Sequence, residues 1–113
     1  MEQNGTGFIK VSEEVINKIA YTAALETEGV CRIAVKKTVD PKRIIKGMKL
    51  PKGVSYVSTE DGLVMDVSVV MAYGAKIQEV AANIQANIMD NVQTMTGLNV
   101  CRVNVTVVGV ENL

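Results

Sequence analysis

The sequence predicts an α/β (α+β) domain: a two-layer sandwich in which a small mixed β-sheet carries two main helices on one face, in the order α-β-β-β-α-β. Three observations predict it. Leu63, Met65, Val67, Val69, Met71 and Tyr73 alternate with a face holding Asp66 and Ser68, the period of a strand buried on one side. Ile77, Val80, Ala81, Ile84, Ile88, Val92 and Met95 then recur at the spacing of one helical stripe, and Gly97 supplies a stop. Cys101, Val103, Val105 and Val107 alternate against Arg102, Asn104 and Thr106, which returns the chain to a strand. Leu63 to Val110 therefore reads as β-α-β.

The elements before it follow from local chemistry. Met1 to Gly7 is a polar leader with two glycines and is expected to fray, leaving 8–113 as a single domain. A chain of 113 residues can bury roughly two-thirds of its unfolded surface. Ser12 precedes Glu13 and Glu14, so its hydroxyl can cap the free amides of a first turn whose positive end both carboxylates favour. Val11 and Ile16 have the spacing of a hydrophobic staple across that cap. The helix is expected to turn Val15, Ile16, Ile19, Ala20 and Ala23 inward, with Gly29 as its left-handed C-terminal residue. A short strand from Val30 to Val35 follows, with Cys31, Ile33 and Val35 on one side.

The composition then changes. Seven of the twelve basic residues, Lys36, Lys37, Lys42, Arg43, Lys46, Lys49 and Lys52, fall between positions 36 and 52, with Asp40 as the one acid among them. Pro41 and Pro51 bracket the segment, and Ile44, Ile45 and Met48 could form one short amphipathic turn or two. One reading is a solvated, partly mobile connection. The other is an anion-binding patch for acidic protein, anionic lipid or nucleic acid. No aromatic residue is interleaved with these charges, so a stacking platform for single strands is missing.

Gly53 opens a strand through Val54, Tyr56 and Val57, and Glu60-Asp61-Gly62 supplies hairpin-turn chemistry. Turn formation accounts for this acidic pair better than acid-base work does. The joints around the second helix, Gly74-Ala75 and Thr96 to Asn99, are short, so the helix runs back along the sheet and its flanking strands are parallel. Both helices should cover Met65, Val67, Val69, Val103, Val105 and Val107. The other sheet face would carry Asp66, Ser68, Arg102, Asn104 and Thr106, interspersed with Val64, Val70 and Val108, and Asp66 could pair with Arg102. The outer side of the second helix is rich in amides, Asn83, Gln85, Asn87, Asn91 and Gln93. Amides desolvate more cheaply than charges, so this side suits a protein contact as well as plain exposure.

Several function classes are excluded by what is missing. There is no histidine, which removes Ser-His and Cys-His nucleophiles, imidazole bases and most zinc or iron sites. Neither the G-x-x-x-x-G-K-[ST] loop nor G-x-G-x-x-G is present, and Ser12, Ser55, Ser58 and Ser68 have no base candidate at hand. No catalytic, cofactor-binding or metal-ligating residues are assigned, and an enzyme is not expected. Cys31 and Cys101 sit in apolar strand-like contexts and read as reduced core thiols, with a disulfide or redox pair as the alternative. The formal charge of +0 asks for no anionic partner of the whole molecule. No apolar run of about 20 residues suggests a bilayer span, and neither that nor a signal peptide is expected.

Three stretches also carry a family resemblance. GFIKVSEEVINKIAYTAALETEGV, KGVSYVSTEDGLVMDVSVVMAYGAKIQEVAANIQANIMDNVQTMTGL and VNVTVVGV resemble the alkaline shock protein family of cell-envelope stress proteins in Gram-positive type bacteria. The most specific parts are SEEVI with the TEGV ending, YG followed by an I-x-E-V-A helix, the MTGL stop and the final strand. The basic segment 36–52 departs most from that pattern. The resemblance implies a small cytosolic, non-enzymatic protein that self-associates as a homo-oligomer. In some members it is held at the inner membrane surface by a separate membrane-anchored partner. Candidate interaction residues are then Asp66, Ser68, Arg102, Asn104 and Thr106 on the sheet and Asn83, Asn87 and Asn91 on the helix. Lys36, Lys37, Lys42, Arg43, Lys46 and Lys49 are the candidate anion-binding patch, for which nucleic acid is not the expected partner.

Overall fold

A computed structural model of the chain describes Gly7, residues 9–35 and residues 53–112. The predicted order holds among them: α1 (Glu13–Leu25), β1 (Val30–Ile33), β2 (Val54–Thr59), β3 (Gly62–Ala72), α2 (Ile77–Thr96) and β4 (Val100–Glu111). Every other strand bonds to β3. β1 and β2 run antiparallel to it, one after the other along the same side, and β4 runs parallel along the opposite side. The sheet is therefore mixed, and both helices cover one of its faces.

That face follows the alternation of the sequence. Leu63, Met65, Val67, Val69 and Met71 of β3 join Val100 and Val103 of β4 under Ile16, Ala20, Ala23 and Ala24 of α1 and Val80, Ile84, Ile88 and Val92 of α2. The alanines let α1 lie close, and each large aliphatic side chain contributes about 1.5 to 3 kcal/mol of burial. Val15 departs from expectation and stays half-exposed, because α1 turns the i, i+4, i+7, i+8 row of Ile16, Ala20, Ala23 and Ala24 inward instead. Ile77 and Met95 lie on the predicted stripe of α2 but in its first and last turns, where they are exposed; Tyr73, at the end of β3, is exposed too.

The helix ends match their capping chemistry with one correction. Ser12 accepts the Val15 N–H at 3.3 Å, and Gly97 takes the left-handed conformation that closes α2, its N–H donating to the Gln93 carbonyl. Gly29 is not the cap of α1, which ends at Leu25 with Glu26 beyond it. It lies in the following turn with φ +96°, and a Cβ there would stand 2.6 Å from Cγ2 of Val80. Close approach of α2, together with the positive φ, is what requires glycine.

Irregular register displaces both cysteines. A shift between Val30 and Arg32 takes Cys31 off the inner row, and a shift where Leu63 faces Val100 and Val64 faces Arg102 leaves Cys101 as an extra, exposed residue. Both thiols are free, but they are not the core residues that the alternation suggested. Val108 is a second extra residue in β4, between Val107 and Gly109.

The leader before Gly7 and the basic segment 36–52 lie outside the described residues, yet the points where the chain departs and returns are well defined. Ala34 donates its N–H to the Ser68 carbonyl at 2.8 Å, and Ser68 donates its own to the Gly53 carbonyl at 2.9 Å. In an antiparallel ladder a single residue would exchange both of those bonds. Ala34 and Gly53 divide its role, so β1 and β2 are one strand interrupted at one ladder position.

Candidate interaction surfaces

The uncovered sheet face brings together the predicted polar residues, but with different partners. Parallel register places Asp66 opposite Asn104, whose Nδ2 donates to Oδ1 at 3.1 Å, and Ser68 opposite Thr106. Arg102 stands opposite Val64, so the expected Asp66–Arg102 pair does not form. The ion pair among the described residues is instead Arg32 with Glu111. Nη2 lies 2.7 Å from Oε1 and Nε 3.2 Å from Oε2. The hydrogen bond from Arg32 holds the Glu111 carboxyl below the usual carboxylate range, assisted by the guanidinium charge, and the same bond raises Arg32. The Cys31 thiol reaches Glu111 Oε2 at 3.8 Å.

A second departure lies beneath this pair. Val70 was expected among the surface valines of this face, yet it is only 4% exposed. It is in register with Arg32 on one side and Gly109 on the other, and the bond from Arg32 to Glu111 passes over it from β1 to β4. Val70 thus lies in the strand that this ion pair spans, on a face that no helix among the described residues covers.

The amides of α2 are largely committed inside the molecule. Gln85 Nε2 donates to the Val103 carbonyl at 3.0 Å, and Gln93 Oε1 accepts the Val100 N–H at 3.1 Å, so two glutamines satisfy backbone groups of β4. Asn87 Nδ2 donates to Thr27 Oγ1 at 2.9 Å, and Asn91 donates to the Asn87 carbonyl. Thr27 is buried, and its own hydroxyl donates to the Ala23 carbonyl at the end of α1. Of the three asparagines assigned to a surface, Asn83 alone has no role of this kind, and it lines a shallow recess with Glu28, Gly29, Lys76 and Glu79. The sheet residues and the helix residues lie on different sides of the molecule and do not form one site.

A groove of about 290 Å³ lies between the two helices, with Val15, Ile19, Ala23 and Met95 as its apolar wall and Lys18 and Glu26 at its rim. Sequence reasoning missed it because Val15 and Met95 had been assigned to the core. Among the described residues, no group of three or more Cys, Asp or Glu could hold a metal ion, and no helix is long and apolar enough to cross a membrane. The six basic candidates, Lys36, Lys37, Lys42, Arg43, Lys46 and Lys49, lie outside the described residues.

These features define a small α+β domain with one sheet face covered by helices and one that no helix among the described residues covers. The chain belongs to the alkaline shock protein 23 family, described as having a cell envelope-related function, whose profile matches residues 1–112. It is 35% identical over 107 residues to the uncharacterized protein Spy1614 of Streptococcus pyogenes, covering 93% of this chain and 88% of that one. Two uncharacterized proteins of Bacillus subtilis are also similar. YqhY is 31% identical over 97% of this chain and 82% of its own, and YloU is 32% identical over 93% and 89%. No solved structure matches.

Proposed function

We propose that this chain is a non-enzymatic interaction protein of the cell envelope. It self-associates and is held at the inner membrane surface by a membrane-anchored protein partner. The observation that carries the reading is the one-sided sheet: its open face presents Asp66, Asn104, Thr106 and Arg102 with half-buried Val64, a polar and apolar mixture suited to protein contact. Membership of a family with a cell envelope-related function supports the envelope setting. The basic segment 36–52 is available to strengthen attachment where the surface is anionic.

Fractionation of native cells with pull-down of the tagged full chain tests this. The expected result is recovery with the membrane fraction together with an integral membrane protein, and release from that fraction when the partner is removed. A monomer at every concentration, found only in the soluble fraction and without a bound protein, would overturn it.

A further inference from the structure

Resting on the self-association reading, we infer that a second copy of this chain pairs antiparallel with the free edge of β4 about a two-fold axis at Thr106. The direction of the backbone groups is fixed by bonds already described. Ser68 faces the β1–β2 side, so Met65, Val67 and Val69 face β4 and meet Arg102, Asn104 and Thr106 there. The N–H and C=O groups of Val103, Val105 and Val107 consequently point away from the sheet. At the start of β4 that edge is closed by side chains, with Gln93 on the Val100 N–H and Gln85 on the Val103 carbonyl. Beyond Val103, the edge groups of Val105, Val107 and Val110 have no partner among the described residues. Val108 and Val110 beside them are 47% and 48% exposed. Neither lysine nor proline interrupts residues 100–111, the usual means by which an edge strand is kept single.

The extra residue at Val108 sets how the strand is counted against itself. Counting Val108 and Gly109 as one ladder position, Thr106 meets Thr106 of the second copy. Val105 then meets Val107, Asn104 meets Gly109, and Arg102 meets Glu111, while Val103 stands opposite Val110 with its carbonyl already held by Gln85. Every pair so formed shares a face, with valine against valine on the helix side. Val105 and Val107 supply the outward donors and acceptors of the central bonds. The outer pair brings Arg102, whose side chain has no ion-pair partner among the described residues, to the carboxylate that Arg32 already holds. Charge complementarity selects this register, and Gln85 and Gln93 exclude one shifted toward the start of the strand.

The test is sedimentation of the full chain over a concentration series, with circular dichroism to follow the fold. Thr106→Lys sets two ammonium groups opposite each other at the axis, and Val107→Pro removes an N–H that makes no bond among the described residues. Each should weaken dimerisation at least about tenfold with the spectrum unchanged. Residues at the axis form a non-hydrogen-bonded pair with Cα atoms about 4.5 Å apart, within disulfide range. Thr106→Cys in a Cys31→Ser, Cys101→Ser background should therefore give a covalent dimer on mild oxidation. A dimer that persists in both edge variants, or a Thr106→Cys chain that does not cross-link, overturns this interface while leaving self-association standing. A wild-type chain that is monomeric at every concentration overturns both.

Discussion

Arg32 and Glu111 join the first strand to the last across the width of β3, both carboxylate oxygens being taken up by one guanidinium at 2.7 and 3.2 Å. Because the folded state lowers the pKa of Glu111, this bond stabilises the fold above the ordinary carboxylate range. That stabilisation is lost as pH falls through the lowered value. The raised value of Arg32 leaves it charged throughout, with loss only in strong alkali. The unfolding temperature of Glu111→Gln should lie below that of the wild type at neutral pH. The gap should close in acid, and added salt should narrow it because both side chains are partly exposed. A gap that survives strong acid would show that Glu111 acts through something other than its charge.

Thr27 is the joint between the helices. Its hydroxyl closes the end of α1 and receives Asn87 from α2. Thr27→Val should cost about 1 to 3 kcal/mol in urea unfolding, since a buried carbonyl loses its donor and Asn87 its acceptor. Asn87→Ala, at an exposed position, should cost about 0.5 to 1.5 kcal/mol. The double variant should cost less than the sum, because the two changes remove one shared bond.

The division of one ladder position between Ala34 and Gly53 makes the basic segment removable. A chain lacking residues 35–53 joins Ala34 to Val54, and Ala34 can then exchange both bonds with Ser68. It should fold with the amides of β3 protected from exchange as in the parent. Its stability should match or exceed the parent's, by up to about 2 kcal/mol of closure entropy no longer lost on folding. Loss of protection at Val67 to Val69 would show that the segment is needed to hold β1 against β3.

Much of this fold was legible because its signals are local. Period-two alternation fixed the inner faces of β3 and β4, the i, i+4 row fixed α2, and Ser12 and Gly97 fixed the helix ends. The departures arise where one residue is inserted or where a side chain acts at a distance. Cys31, Cys101 and Val108 are extra residues that shift register, and of these only Val108 left a trace, in the Val107-Val108 doublet that breaks the alternation. Gln85, Gln93 and Asn87 looked like surface amides because their partners, Val103, Val100 and Thr27, are remote in sequence. The union of Arg32 with Glu111 across 79 positions was invisible for the same reason. The sheet-face candidates were found because alternation assigns faces, whereas the edge of β4 emerged only once the direction of each backbone bond was known.

The central place of β3 also sets an order of events. Among the described residues no strand bonds to any strand but β3, so β1, β2 and β4 gain nothing from one another before it is present. As the chain is synthesised, α1 and β1 emerge first and must wait, with Ile33 unable to find Val69 until thirty-six further residues have followed. The β2–β3 hairpin, joined by Glu60 and Asp61 alone, is the pairing that can form at once. Its completion at Ala72 offers a waiting strand its place on one side, and the return of α2 brings β4 to the other. Sequence separation thus favours assembly outward from the β2–β3 hairpin, with the strand edge best placed to meet another molecule joining after it.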